Sequence, residues 1–140
     1  MTNIIENSNT GTHDGDDIVV ESAWVAVCTA DEVALDRGVA ALVHGEPVAI
    51  FRLSPVVDDG DEEWCAVAHI DPATGVPVMA RGLVGSVGNG PIVIPTVASP
   101  LHKQRYNLRS GYCLDDRELR LSVHEIRIVD GQVECRLGVG

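Results

Sequence analysis

The chain has 140 residues, 45% of them hydrophobic, and its 21 acidic against 10 basic residues give a formal charge of −11. That length suits one domain with one core, and the charge repels nucleic-acid phosphates and anionic membrane surfaces, so neither is an expected partner. No apolar run nears the roughly 20 residues of a membrane span and the N-terminus lacks the basic-then-apolar order of a signal peptide, so a cytoplasmic chain is expected.

Only five aromatics (Trp24, Phe51, Trp64, Tyr106, Tyr112) are available for a core, while valine is abundant and 14 glycines and 7 prolines punctuate the chain. β-branched side chains suit a pleated surface, which points to short strands and tight turns. Residues 1–20 are acidic and polar, no Lys or Arg precedes Arg37, and the segment reads as a disordered acidic tail; residues 21–140 read as one domain. Structure is expected from Ser22 through Val27, followed by one helical turn capped by Thr29 with Glu32. Apolar runs at 39–44 and 48–53 flank Gly45-Glu46-Pro47 and predict a hairpin. Runs at 64–68 and 92–98 each lead into a proline loop, His69-Ile70-Asp71-Pro72 and Ser99-Pro100. Tyr106-Asn107-Leu108 and a turn at Arg109-Ser110-Gly111 come next. A last hairpin is centred on Asp130-Gly131, with Ile126 and Ile128 alternating before it and Val133, Cys135 and Leu137 after it. About eight or nine short strands with one helical turn predict a mainly β, antiparallel sandwich or small barrel.

The stretch Ser99-Pro100-Leu101-His102-Lys103-Gln104-Arg105-Tyr106 up to Gly111 resembles the second cluster loop of Rieske domains, C-P-x-H followed by an aromatic and a glycine. The loop Ile70-Asp71-Pro72-Ala73, with Gly82 downstream, is similar to the first, C-P-H. On that resemblance the cysteine positions hold Asp71 and Ser99, the first histidine position holds Ala73, and His102 alone matches a ligand. One ligand in four does not hold an iron–sulfur pair, and hydroxyl or carboxylate is a poor substitute for a soft thiolate. Three motifs in order, Gly38-Val39-Ala40-Ala41-Leu42-Val43 with Val48-Ala49-Ile50-Phe51-Arg52, His69-Ile70-Asp71-Pro72, and Ser99 to Arg105, resemble one Rieske-like branch, the small subunit of assimilatory NAD(P)H nitrite reductase. The likeness runs from about residue 22 to 138.

The resemblance implies a Rieske-like fold and a role in reducing nitrite to ammonia as an accessory subunit. It implies no redox centre in this chain, with flavin (FAD), sirohaem and an iron–sulfur cluster in the large subunit that is its partner. The chain itself has no G-x-G-x-x-G fingerprint. Arg81, His102, Lys103, Arg105 and Arg109 gather positive charge around the second loop of an acidic chain, and such a tip suits docking to an acidic surface, against the alternative of a merely solvated loop. The rival readings are an electron carrier with unusual cluster or single-metal ligands, for which Cys65, His69 and His102 are the candidates, and a scaffold for another oxidoreductase. Asp71 reads as a turn acid rather than a base, and Ser99 lacks a nucleophile-elbow context. The four cysteines, widely spaced with no C-x-x-C pair, read as free thiols. Tyr106 is expected to pack its ring under the second loop while its hydroxyl finds a polar partner.

Overall fold

A computed structural model describes residues 23–56, 60–89 and 91–138; the acidic tail lies outside these residues. Nine strands occur among them: β1 (Val25–Thr29), β2 (Arg37–Val43), β3 (Glu46–Leu53), β4 (Glu63–Ala68), β5 (Leu83–Asn89), β6 (Ile92–Ala98), β7 (Arg105–Asn107), β8 (Val123–Val129) and β9 (Gln132–Arg136). Six form one antiparallel sheet in the order β1-β9-β8-β4-β3-β2, whose outer strands β1 and β2 approach each other so that it curls towards a barrel. The other three form a small sheet, β5-β6-β7. The mainly β antiparallel architecture matches the expectation.

β3 explains why the core has two halves. Along it Val48 and Ile50 enter one buried cluster with Val43, Ala66, Val133 and Cys135, inside the curled sheet. The alternate residues Ala49, Phe51 and Leu53 enter a second, with Cys65, Val67, Val97, Tyr106 and Leu108, between the two sheets. A strand buried on both faces has no polar side to show, so it reads as a continuous apolar run rather than an alternating one. β8, by contrast, half-buries Ile126 between exposed Glu125 and Arg127, while Ile128, expected to alternate with it, is exposed together with Val129. Small valines and alanines suffice because the curled sheet leaves little interior to fill.

Several local expectations hold and others shift. Glu32 Oε1 accepts the Thr29 backbone N–H at 2.7 Å, closing the predicted turn at Ala30–Glu32. The β2–β3 reversal is made by His44 and Gly45, both at positive φ (50° and 82°), so it is a two-residue turn of the type that matches strand twist, and Pro47 lies within β3 rather than in the turn. Asp130 and Gly131 (φ 52° and 78°) make the same turn between β8 and β9. Two elements had no counterpart in the sequence reading: β5, whose glycines hide its strand character, and a second 3₁₀ turn at Met79–Arg81.

Candidate functional site at the ends of two loops

The chain leaves β4 at Ala68 into loop one (69–78) and leaves β6 at Ala98 into loop two (99–104), which places both loops at the same end of the molecule. Loop one is held by its own backbone. The Asp71 carbonyl accepts the N–H groups of Thr74 and Gly75 (3.2 and 2.7 Å), and the Asp71 N–H donates to Val76 at 2.8 Å. His69 fastens it to its surroundings: its N–H donates to the Pro47 carbonyl at 3.1 Å and its Nδ1 accepts the Ala80 N–H at 3.1 Å. Burial first, and the Arg81 charge second, push the His69 imidazolium pKa below its ordinary value, which keeps Nδ1 available as an acceptor. Loop two closes through Ser99, whose carbonyl accepts from Lys103 and whose N–H donates to Gln104, both at 2.9 Å.

The two loops are joined at their starts. Asp71 and Ser99, 0% and 1% exposed, meet through a hydrogen bond of 2.5 Å from Ser99 Oγ to Asp71 Oδ2. The other carboxylate oxygen accepts the Ala73 N–H at 2.8 Å, and Ser99 Oγ itself accepts the Leu101 N–H at 3.2 Å. A buried carboxylate is tolerated where its oxygens are satisfied, and here both are. Asp71 is therefore more than a turn acid: it ties two loops 28 residues apart.

The glycines noted in the sequence now have reasons. A side chain on Gly82 would sit 2.5 Å from the Ala98 carbonyl oxygen and 2.6 Å from Val97 Cγ2, so only hydrogen lets the segment after loop one pass against β6. Gly111 adopts φ +84°, and a Cβ there would overlap the Leu121 carbonyl. Tyr106 does lie fully buried beneath loop two, but its hydroxyl has no hydrogen-bond partner among the described residues, contrary to expectation. The nearby carboxylate of Asp71 is already engaged by Ser99 and Ala73. Burial, with Asp71 second, raises the Tyr106 phenol pKa, so it stays neutral.

The five predicted docking cations separate into two groups. Arg105 forks onto Asp115 through Nε and Nη2 (3.2 and 2.8 Å), and Arg105 holds the Asp115 carboxyl down at about 2. Arg109 forks onto Glu63 (2.7 and 2.8 Å) and reaches the Val93 carbonyl with Nη1 at 3.1 Å. Those two guanidinium groups brace the fold, and neither pair was visible in the sequence because the partners lie 10 and 46 residues away. Arg81, His102 and Lys103 are exposed at the loop end, and Arg81 and Lys103 have no ion-pair partner among the described residues. Apolar side chains that the sequence reading did not single out share that end. Leu83 (78% exposed) pairs with Ala98, Ala98 pairs with Arg105, and the Arg105 carbonyl accepts from Leu114 (40%), while Ile70 (41%) and Leu101 (45%) project from the two loops.

The chain matches the family model described as a Rieske-like [2Fe-2S] domain over residues 23–136. It is 37% identical over 115 residues, 82% of its own length and 98% of the relative's, to the nitrite reductase (NADH) small subunit of Escherichia coli (strain K12). The chain belongs to the nitrite reductase small-subunit family of Rieske-like domains. The solved structure of the E. coli protein NirD superposes with a TM-score of 0.69 at 36% identity, covering 84% of this chain and 98% of that one. A nitrite reductase [NAD(P)H] large subunit from Klebsiella oxytoca is 31% identical over 119 residues, which are 85% of this chain but only 11% of that far longer one.

The residues that the loop resemblance sets at the cluster positions do not fit an iron–sulfur pair. Asp71 and Ser99 are spent on each other, Ala73 offers only a backbone N–H that Asp71 takes, and His102 is exposed on the surface. Soft thiolates are what such iron requires. The single-metal alternative fails on placement. Cys65 lies in the core within β4, with Sγ 3.8 Å from Glu63, whereas His69 turns its Nδ1 to Ala80 at the strand's other end. Among the described residues no group of three His, Cys, Asp or Glu side chains is placed to hold a metal ion, and no helix is long and apolar enough to cross a membrane.

Proposed function

We propose that this chain is the cluster-free small subunit of a cytoplasmic NAD(P)H-dependent nitrite reductase, acting in nitrite reduction to ammonia as an accessory to a large subunit that carries the FAD, sirohaem and iron–sulfur chemistry. The observation that carries the reading is the Klebsiella oxytoca large subunit, in which a stretch like nearly all of this domain is part of the same polypeptide. A domain that is fused in one chain and separate in another is expected to occupy the same place in both assemblies. The Asp71–Ser99 bond supports the second half of the reading, because the positions a cluster would use serve instead to hold the loops together.

The docking face in this reading is the loop end, where Arg81, His102 and Lys103 stand among exposed Ile70, Leu83 and Leu101. Apolar anchors surrounded by charge are what a stable interface needs, with the charges governing encounter rate and partner choice. Arg105 holds that face in shape through Asp115, whereas Arg109 is bound to Glu63 and Val93 at the opposite ends of β4 and β6. The test is co-purification of the tagged chain with its large subunit. Arg81→Glu with Lys103→Glu, and separately Leu101→Asp, are expected to lower recovery of the large subunit while the small subunit's melting temperature holds. Undiminished recovery from both variants sinks this face as the docking site. Stoichiometric iron in the anaerobically purified small subunit sinks the accessory reading.

A further inference from the structure

β5 is the outer strand of the small sheet, paired with β6 on one side and with nothing among the described residues on the other. The remaining outer strands are less open. β1 and β2 approach each other where the large sheet curls, and β7 has only three residues. An open strand edge presents a row of backbone donors and acceptors to any second strand, and folds usually blunt it with charge, proline or a bulge. β5 has none of these: Leu83-Val84-Gly85-Ser86-Val87-Gly88-Asn89 is uncharged and its register with β6 is unbroken. All of it except Val84 and Val87 is exposed.

In an antiparallel ladder a residue turns its N–H and C=O to the same side, and successive residues alternate. Pro95 of β6 lies opposite Ser86, and its carbonyl accepts the Leu108 N–H at 2.9 Å, on the β7 side. The Ser86–Pro95 pair is therefore not hydrogen-bonded, and Ser86, like Val84, turns its N–H and C=O to the open edge. Gly85 between them is unlike the other glycines. Of the nine whose surroundings are described, eight have a positive φ or would bring a Cβ to 2.6 Å or less from a neighbour, whereas at Gly85 the nearest atom is Thr96 Oγ1 at 3.5 Å, an ordinary contact. The domain has room for a side chain there. Glycine inside a strand weakens it and marks a place where another backbone comes close.

The chemistry of this edge fits a second copy of the chain. From Gly82 to Leu101 there is no Asp, Glu, Lys or Arg, so two chains, each of formal charge −11, meet here without facing like charges. The strand is also its own complement. Turned about Ser86 and laid antiparallel on itself, it sets Val84 against Gly88 and Gly85 against Val87, a valine over a glycine at each step, while the two Ser86 residues exchange backbone hydrogen bonds.

We propose that two copies pair β5 with β5, antiparallel and centred on Ser86, joining their three-stranded sheets into one continuous sheet. β5 starts just after the Met79–Arg81 turn at the loop end, so this pairing sends the two loop ends in opposite directions. Each is left free for a large subunit; that consequence rests on the function proposed above, whereas the pairing does not.

The test is sedimentation equilibrium of the full chain alone, up to about 1 mM, because a contact confined to one strand buries less than about 1,200 Å² and binds weakly. The wild type is expected to form a dimer. Ser86→Asp sets two carboxylates directly opposite each other, and Ser86→Pro removes a backbone donor from each copy; each is expected to weaken association at least about tenfold. Ser86 is exposed and its N–H faces away from β6, so melting temperatures should hold. An equimolar mixture of Ser86→Asp and Ser86→Lys copies is expected to regain the dimer through opposite charges, which a folding defect in either variant would not produce. A wild type that stays monomeric throughout overturns the proposal, as does a dimer that both single variants leave unchanged or a mixture that fails to associate. Recovery of the large subunit is read separately. If Ser86→Pro lowers that recovery while the wild type alone stays monomeric, the edge belongs to a strand of the large subunit and the pairing of copies is wrong.

Discussion

Removing the tie between the loops is the sharpest test of how this domain is held together. Asp71→Ala deletes the acceptor for Ser99 Oγ at 2.5 Å and for the Ala73 N–H at 2.8 Å, in a site closed to water. Each stranded buried donor costs about 1–3 kcal/mol, so the variant is expected to lose about 3 kcal/mol. Ser99→Ala strips one donor from the carboxylate and the acceptor from the Leu101 N–H, a loss of about 2 kcal/mol by the same reasoning. The double variant cannot lose the shared bond twice, and is expected near 3.5 kcal/mol, a coupling of about 1.5 kcal/mol. For a domain of this size 1 kcal/mol moves the melting temperature by about 4 °C, so Asp71→Ala should melt about 12 °C lower. The assay is urea denaturation of the four proteins followed by circular dichroism, with equal slopes required before midpoints are compared. Additivity of the two single losses to within about 0.5 kcal/mol would refute the claim that this pair joins the loops.

Other expectations follow from the same structure. Gly82→Ala and Gly111→Ala should each destabilise by about 1–3 kcal/mol in the same denaturation assay, because the first pushes into the Ala98 carbonyl and the second meets both a positive φ and the Leu121 carbonyl; a neutral result at either would show that the backbone yields there. His69 and His124 each accept a backbone N–H at Nδ1, from Ala80 and Gly138, and burial, aided at His69 by Arg81, lowers both pKa values in the folded state. Between the lowered folded value and the unfolded value near 6.5 the unfolded chain binds more protons, so their contribution is present above pH 6.5 and is lost as the pH falls through that window. NMR titration should place both imidazoles below 6.5, and a value above it would contradict the acceptor role. Burial pushes the Cys65 and Cys135 thiols up to about 12, so both should resist alkylation at pH 8 in the folded protein and react once it is unfolded; rapid labelling of either in the native state would show that its strand opens.

The sequence by itself determined a good deal. Valine-rich runs separated by glycine and proline require short strands, the Asp130-Gly131 pair requires its hairpin, and Asp71, Ala73 and Ser99 cannot supply the thiolates and imidazole that a cluster needs, whatever surrounds them. These are properties of residue types and near neighbours, which a sequence displays directly. Tertiary structure decided which of the loop cations are paired with carboxylates. Arg105 and Arg109 looked equivalent to Arg81 and Lys103 because charge is local, while a carboxylate brought in by Asp115 or by Glu63 from 46 residues away is not. β5 escaped notice because Gly85 and Gly88 give no pattern of their own, and it exists because β6 offers an edge to pair with. The bond between Asp71 and Ser99 was equally hidden: both positions were in view as departures from a cluster loop, but a hydrogen bond across 28 residues depends on where two strands end side by side, and only the folded chain brings those ends together.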